Sequence, residues 1–133
     1  MGYCTKMKTK VIISNSSFLI RVDAEEILYI TSDGSYTNMT LTDGRQHVFS
    51  FNLSSFEKLL EQQLGPDSAI FVRLGRCLII NVQCIYSIDI IKQELILVGK
   101  IASKEYNLNV PKDALKNLKK LLEYNINRKR IEL

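Results

Sequence analysis

"FVRLGRCLIIN", residues 71–81, is mostly apolar, and a short apolar run of this kind is the mark of a buried strand. Yet Arg73 and Arg76 stand inside it, Gly75 lies between them and Asn81 closes it. Three roles are open to the arginines. Arg73 can lie on the exposed face of an edge strand and snorkel. It can pair internally with an acid such as Asp67 or Glu57. Or both arginines can hold phosphate. Three positions apart on a regular strand, they face opposite ways. A bulge or kink at Gly75, within one strand spanning the "AIFVRLGRCLIIN" stretch, would bring both onto one surface. Spacing alone does not choose among the three.

The surrounding chain is read from its periodicity. "SSFLIRVDA" alternates, with Phe18, Ile20 and Val22 on one face, and "AEE" makes a short turn. "ILYITS" and "YTNMTLT" are strands separated by "DGS" at 33–35. "DGR" at 43–45 predicts a hairpin, since glycine there accepts positive φ, and "QHVFSF" returns from it. From residue 52 the period changes: Leu53, Phe56, Leu60 and Leu64 form a helical stripe. Asn52 as N-cap competes with a Ser54/Glu57 capping box, and "GPDS" ends the helix. "IYSIDII" and "ELILVG" are strands joined at Lys92–Gln93, and "ASKEYNLNV" is the last strand. Pro111 then opens a helix whose apolar face carries Ala114, Leu115, Leu118, Leu121 and Leu122. The expected fold is mainly β (α+β), with antiparallel sheets, one helix at about 53–64 and a C-terminal helix at about 111–124. The expected organisation is a flexible N-terminus over 1–10, one domain over 11–124 and a basic tail over 125–133.

Composition bounds the function. A chain of 133 residues, 46% hydrophobic and 24% charged, reads as an ordinary globular protein. No apolar run approaches the roughly 20 residues of a membrane-spanning helix, and no secretory signal follows the N-terminal lysines, so the expected location is the cytoplasm, with no membrane partner. The net charge of +4 comes from residues 112–133, which hold seven basic and three acidic groups; the preceding residues balance 11 against 11. Such a tail is explained by a solvated helix face and a frayed end without any partner.

Catalytic signatures are missing from the sequence. His47 is the single histidine, and with Cys4, Cys77 and Cys84 it makes no recognisable zinc set. No phosphate-binding glycine loop, nucleophile elbow or zinc-protease motif occurs. The cysteines read as reduced, small hydrophobes, and a Cys77–Cys84 pair would require bonding geometry. The expectation is no enzyme, no metal and no cofactor.

Taken in order, "EEILYITSDGSYTNMTLTDGR", "FNLSSFEKLL" and "FVRLGRCLIINVQCIYSIDI" resemble the opening hairpin, first helix and most distinctive block of a LytTR-type DNA-binding domain. This is the output module of many bacterial response regulators in two-component systems. The resemblance covers residues 25–98, with a looser fit for "KEYNLNVPKDALKNLKKLL". It departs at Gly75 and Cys77, where the family commonly has His and Ser. It implies an elongated stack of short β-sheets that reads DNA through loops, as a sequence-specific transcription regulator. Implied base or loop contacts are Tyr36 and Thr37 after the "DGS" turn, Asn52 at the helix start, and Lys92 and Gln93 at the hairpin tip. For Asn52, reading adenine stands beside helix capping. Arg73 and Arg76 become phosphate contacts, with internal pairing next. The implied partners are double-stranded DNA with repeated half-sites about one helical turn (~10 bp) apart, a second copy on that DNA, and an upstream sensor or receiver protein. The rival is a non-catalytic protein-interaction module that uses a strand edge or the basic C-terminal helix.

Overall fold

Residues 71–81 form a hairpin, not a single strand. Phe71–Leu74 and Leu78–Asn81 pair antiparallel with Leu74 opposite Leu78, and Gly75 turns the chain at φ +75°. A left-handed φ is cheap for glycine and costly for other residues, so Gly75 reverses the chain where a bulge was expected. The two halves lie side by side, and each arginine answers to a different setting.

The computed structural model describes residues 10–126. Its strands are β1 (Lys10–Ser14), β2 (Leu19–Asp23), β3 (Ile27–Asp33), β4 (Tyr36–Leu41), β5 (Gln46–Phe49), β6 (Phe71–Leu74), β7 (Leu78–Asn81), β8 (Ile85–Asp89), β9 (Glu94–Val98) and β10 (Glu105–Asn109). Helix α1 spans Leu53–Leu64 and α2 spans Lys112–Ile126. Short 3-10 turns occupy Ala24–Glu26, Gly65–Ile70 and Val82–Cys84. The mainly β reading with two helices therefore holds. Strand β1 was not expected: "KVIIS" pairs with β2, Val11 opposite Val22. Residues 127–133 of the predicted basic tail, with Arg128, Lys129 and Arg130, and residues 1–9 of the predicted flexible start lie outside the described residues, while α2 runs on to Ile126.

The strands form three antiparallel sheets. A central five-stranded sheet has the order β5-β4-β3-β7-β6; β1-β2 and β10-β9-β8 complete the set. Alternation loads both faces of the central sheet. Ile30, Met39 and Ile79 are aligned across β3, β4 and β7 and enter one buried cluster with Val11, Ile13 and Val22. Leu53, Phe56, Leu60 and Leu64 of α1 complete it. Each such side chain is worth roughly 1.5–3 kcal/mol when buried, so packing outweighs α1's modest intrinsic propensity. On the opposite face Ile80 joins Leu95 and Leu97 of β9, Tyr106 of β10, and Leu115 and Leu118 of α2 in a second cluster.

A bulge lets β3 serve both. Ile27 pairs with Leu41 and Tyr29 with Thr40, so Leu28 is an additional residue in β3. Ile27 falls in the first cluster and Leu28 in the second, both fully buried. At the far end of β4, Gly99 approaches Thr42 so closely that a Cβ would lie 2.5 Å from the Thr42 carbonyl oxygen. Lys100 N–H donates to that same oxygen at 2.8 Å, fastening the end of β9 to the central sheet. Beside it, the Arg45 backbone N–H, assisted by its guanidinium, holds the Asp43 carboxyl below the usual carboxylate range.

Candidate functional site

Three connections meet at one end of the central sheet because of its antiparallel register. β3 runs towards Asp33 and β4 returns from Tyr36, its partner. β5 runs back to the same end, since Thr37 pairs with Phe49, and leads into α1 through residues 50–52. The turn at 75–77 arrives there too, because Leu78 is aligned with Thr31. Hydrogen bonds tie the three together. Ser32 N–H donates to Cys77 O at 2.9 Å, and the Thr37 hydroxyl donates to Phe51 O.

Arg73 supplies the third tie. Its Nε donates to Gly75 O at 3.0 Å and its Nη2 to Arg76 O at 3.0 Å. Its Nη1 donates to Ser54 Oγ and to Glu57 Oε1, both at 3.0 Å. Four bonds leave one of the five guanidinium N–H groups over, so Arg73 is internally paired and keeps little of its fork for phosphate. Of the roles open to Arg73, pairing with Glu57 is the one formed here. Arg76 differs: it is exposed, and its side chain donates to no group among the described residues.

The other expected residues divide in the same way. Tyr36 is exposed at 56%. Thr37 is completely buried and its hydroxyl is committed to Phe51 O, so here it supports the loop and offers no surface to a base. Asn52 is exposed and caps α1, its Oδ1 accepting from Ser55 N–H at 2.8 Å. A bidentate adenine contact uses both the amide oxygen and nitrogen, so the cap and the base would share Oδ1 while Nδ2 stays available. Lys92 and Gln93 are exposed at the β8–β9 turn, where Asp89 Oδ1 accepts from Lys92 N–H at 3.0 Å and Gln93 sits at φ +55°. No strand pair or hydrogen bond among the described residues joins that turn to the other three connections.

Periodicity gave no sign of two features. A cleft of about 500 Å³ is lined by Thr31, Asp33, Tyr36, Asn38 and Val48, alternate positions on one face of β3, β4 and β5. Within it Asn38 Oδ1 is buried without a hydrogen-bond partner. A second hollow of about 310 Å³ lies between the β1–β2 turn and β5, with Phe18, Tyr36, Val48 and Phe51 among its walls. Alternation puts those residues on shared faces; only strand order shows that the faces are open. Cys77 is exposed and Cys84 buried, both free thiols, and they stand beyond opposite ends of β7, so the pair contemplated from sequence is not formed. Burial pushes the Cys84 thiol up. Among the described residues no group of His, Cys, Asp and Glu is arranged to hold a metal, and no helix is long and apolar enough to cross a membrane.

Comparison with known proteins bears on this arrangement. The family model of the LytTr DNA-binding domain matches residues 17–123. A solved structure from Bacillus cereus, the LytTr DNA-binding domain of a protein designated a methyl-accepting/DNA response regulator, is similar at 21% identity with a TM-score of 0.58. The likeness covers 86% of this chain and 97% of that one, and shows a shared fold. A search of curated proteins found no match.

Proposed function

Because this chain belongs to the LytTr DNA-binding domain family, we propose that it is a sequence-specific transcription regulator reading double-stranded DNA through the connections at one end of its central sheet. The observation that carries this is the convergence there of the 34–35 turn, the 50–52 junction and the 75–77 turn, with Tyr36, Asn52 and Arg76 exposed on them. Their chemistry divides the work. Arg76 offers a cation to phosphate and fixes position along the duplex. Tyr36 and the Asn52 amide offer hydrogen bonds to base edges. Lys92 and Gln93 form a further contact point on the neighbouring sheet. Two copies bind repeated half-sites about one helical turn, ~10 bp, apart, and an upstream sensor or receiver protein controls them in the cytoplasm.

Affinity selection from random duplexes, at low and near-physiological salt, tests this reading. One motif duplicated at a helical-turn spacing is the expected result. Binding without enrichment that vanishes at the higher salt would mean that the basic residues act alone, without sequence reading.

A second reading, a non-catalytic protein-interaction module, is favoured by one observation. β5 is an open sheet edge with Val48 exposed at 63%, next to the hollow walled by Phe18. No duplex binding at either salt would favour it.

A further inference from the structure

We propose that Arg73 is a positioning residue for DNA recognition: its guanidinium locks the 75–77 turn against the first turn of α1 and so fixes the spacing between Arg76 and Asn52. The proposal rests on the reading that this end of the sheet meets DNA. Its geometry stands independently of that reading.

The fork is divided between two connections. Nε and Nη2 grip the carbonyls of Gly75 and Arg76 in the turn. Nη1 grips Ser54 Oγ and Glu57 Oε1 on α1, 16 to 19 positions away in sequence. The turn residue that presents a free cation is thus held by its own carbonyl, and the helix that begins at Asn52 is held one turn in. A planar fork with fixed donor directions can span both; a lysine ammonium is a single point and cannot reproduce the four directions. Partial burial strengthens the arrangement, since the Arg73 side chain is only 26% exposed and the Glu57 side chain 39%. Recognition by loops depends on holding side chains at fixed separations, and separate connections keep their separation only when something rigid joins them.

The test compares wild type with R73K, R73Q and R76Q in two measurements. Amide hydrogen exchange without DNA should rise about tenfold or more, together, at Ser32, whose N–H is held by Cys77 O, and at Ser55 and Phe56 in the first turn of α1, whose N–H groups are held by Asn52, for R73K and R73Q, with β9 and β10 unchanged. R76Q should leave exchange alone. Unchanged exchange in both Arg73 variants overturns the lock whatever DNA does.

The second measurement uses the duplex that wild type enriches from the random pool, and an unrelated duplex of equal length, over a range of salt. R73K and R73Q should each reduce the preference for the enriched duplex by about tenfold while the salt slope stays at the wild-type value. R76Q should lower the slope by about 0.9 and leave the preference intact. A slope lowered by R73Q and restored by R73K makes Arg73 a phosphate contact and overturns the proposal. Wild type that binds no duplex, with exchange responding as expected, fails the DNA reading and removes the positioning role, leaving a lock of the fold. Should the Arg73 variants not fold, E57Q keeps an acceptor oxygen, removes the charge, and should move exchange and preference the same way by less.

Discussion

Asn81 and Ile27 are joined across 54 positions of sequence by a single buried hydrogen bond, Asn81 Nδ2 donating to the Ile27 carbonyl at 2.9 Å. The β3–β7 pairing ends at Tyr29 and Ile80, and the Asn81 side chain satisfies the backbone group beyond it. Its Oδ1 accepts from Gln83 N–H at 2.9 Å, turning the chain into the 3-10 segment that leads to β8. Asn81 and the Ile27 it joins are wholly buried, so the Ile27 carbonyl has no water as a substitute, whereas Gln83 is exposed. Replacing Asn81 by Ala or Leu should destabilise the domain by about 1–3 kcal/mol, because the buried Ile27 carbonyl loses its partner. Denaturant unfolding measures it, and a loss below 0.5 kcal/mol (roughly the level of an exposed surface change) would contradict it.

Gly99 should tolerate no side chain. An added Cβ would meet Thr42 backbone atoms at 2.5, 2.9 and 3.1 Å, and a backbone cannot swing aside as a side chain can. Gly99→Ala must therefore part β9 from the end of β4 and lengthen the Lys100 N–H to Thr42 O bond. The expected cost is about 1–3 kcal/mol. Thermal unfolding of G99A beside G34A is the comparison, since the site of Gly34 is open and only its φ of +67° opposes a substitution there.

Thr37→Val should act at two levels. The isosteric change removes the donor that holds Phe51 O and leaves that carbonyl without a partner, at about 1–2 kcal/mol. Thr37→Ser keeps the hydroxyl and should restore most of it. With the 50–52 junction released, affinity for the enriched duplex should fall while the salt slope does not, because Thr37 is buried and carries no charge. A lowered slope would restore Thr37 as a direct DNA contact.

Stability should decline at alkaline pH through Cys84. Burial raises its folded-state pKa, so on raising the pH the unfolded chain loses the thiol proton first. The contribution is fully present below the unfolded value of about 8.5 and is lost as pH rises through the folded one. C84A should therefore flatten the stability profile above about pH 8.5 relative to wild type. In a C4S background, a thiol reagent should modify one cysteine, the exposed Cys77, under native conditions and reach Cys84 only on unfolding. Equal labelling of both thiols would contradict this account.

Helix α1 was legible in full, its ends at Leu53 and Leu64, because four apolar residues at helical spacing and an asparagine cap leave little freedom. β4 was legible as well, since the strand expected from "YTNMTLT" forms over Tyr36–Leu41. The 71–81 stretch was misread because glycine allows both a bulge and a reversal, and local sequence does not say which one tertiary pairing will select. Strict alternation also fails at Ile27–Leu28, where the bulge sends neighbours to opposite clusters in an order no period predicts. Of the site, Tyr36, Asn52 and Arg76 are exposed, as any contact with a duplex would require. The burial of Thr37 was hidden by its polarity, which resembles that of a surface residue until Phe51 O is seen beside it.

The two clusters share no side chain, and each helix contributes to one of them. The wall between them is a single sheet, whose three connections at one end rest mainly on the α1 side. Descendants of this gene can therefore revise the α2 side, in size or in surface, and transmit little of the change to the opposite half. Mutational drift is partitioned by the sheet, and the half with α1 can be inherited almost intact while its counterpart is rebuilt.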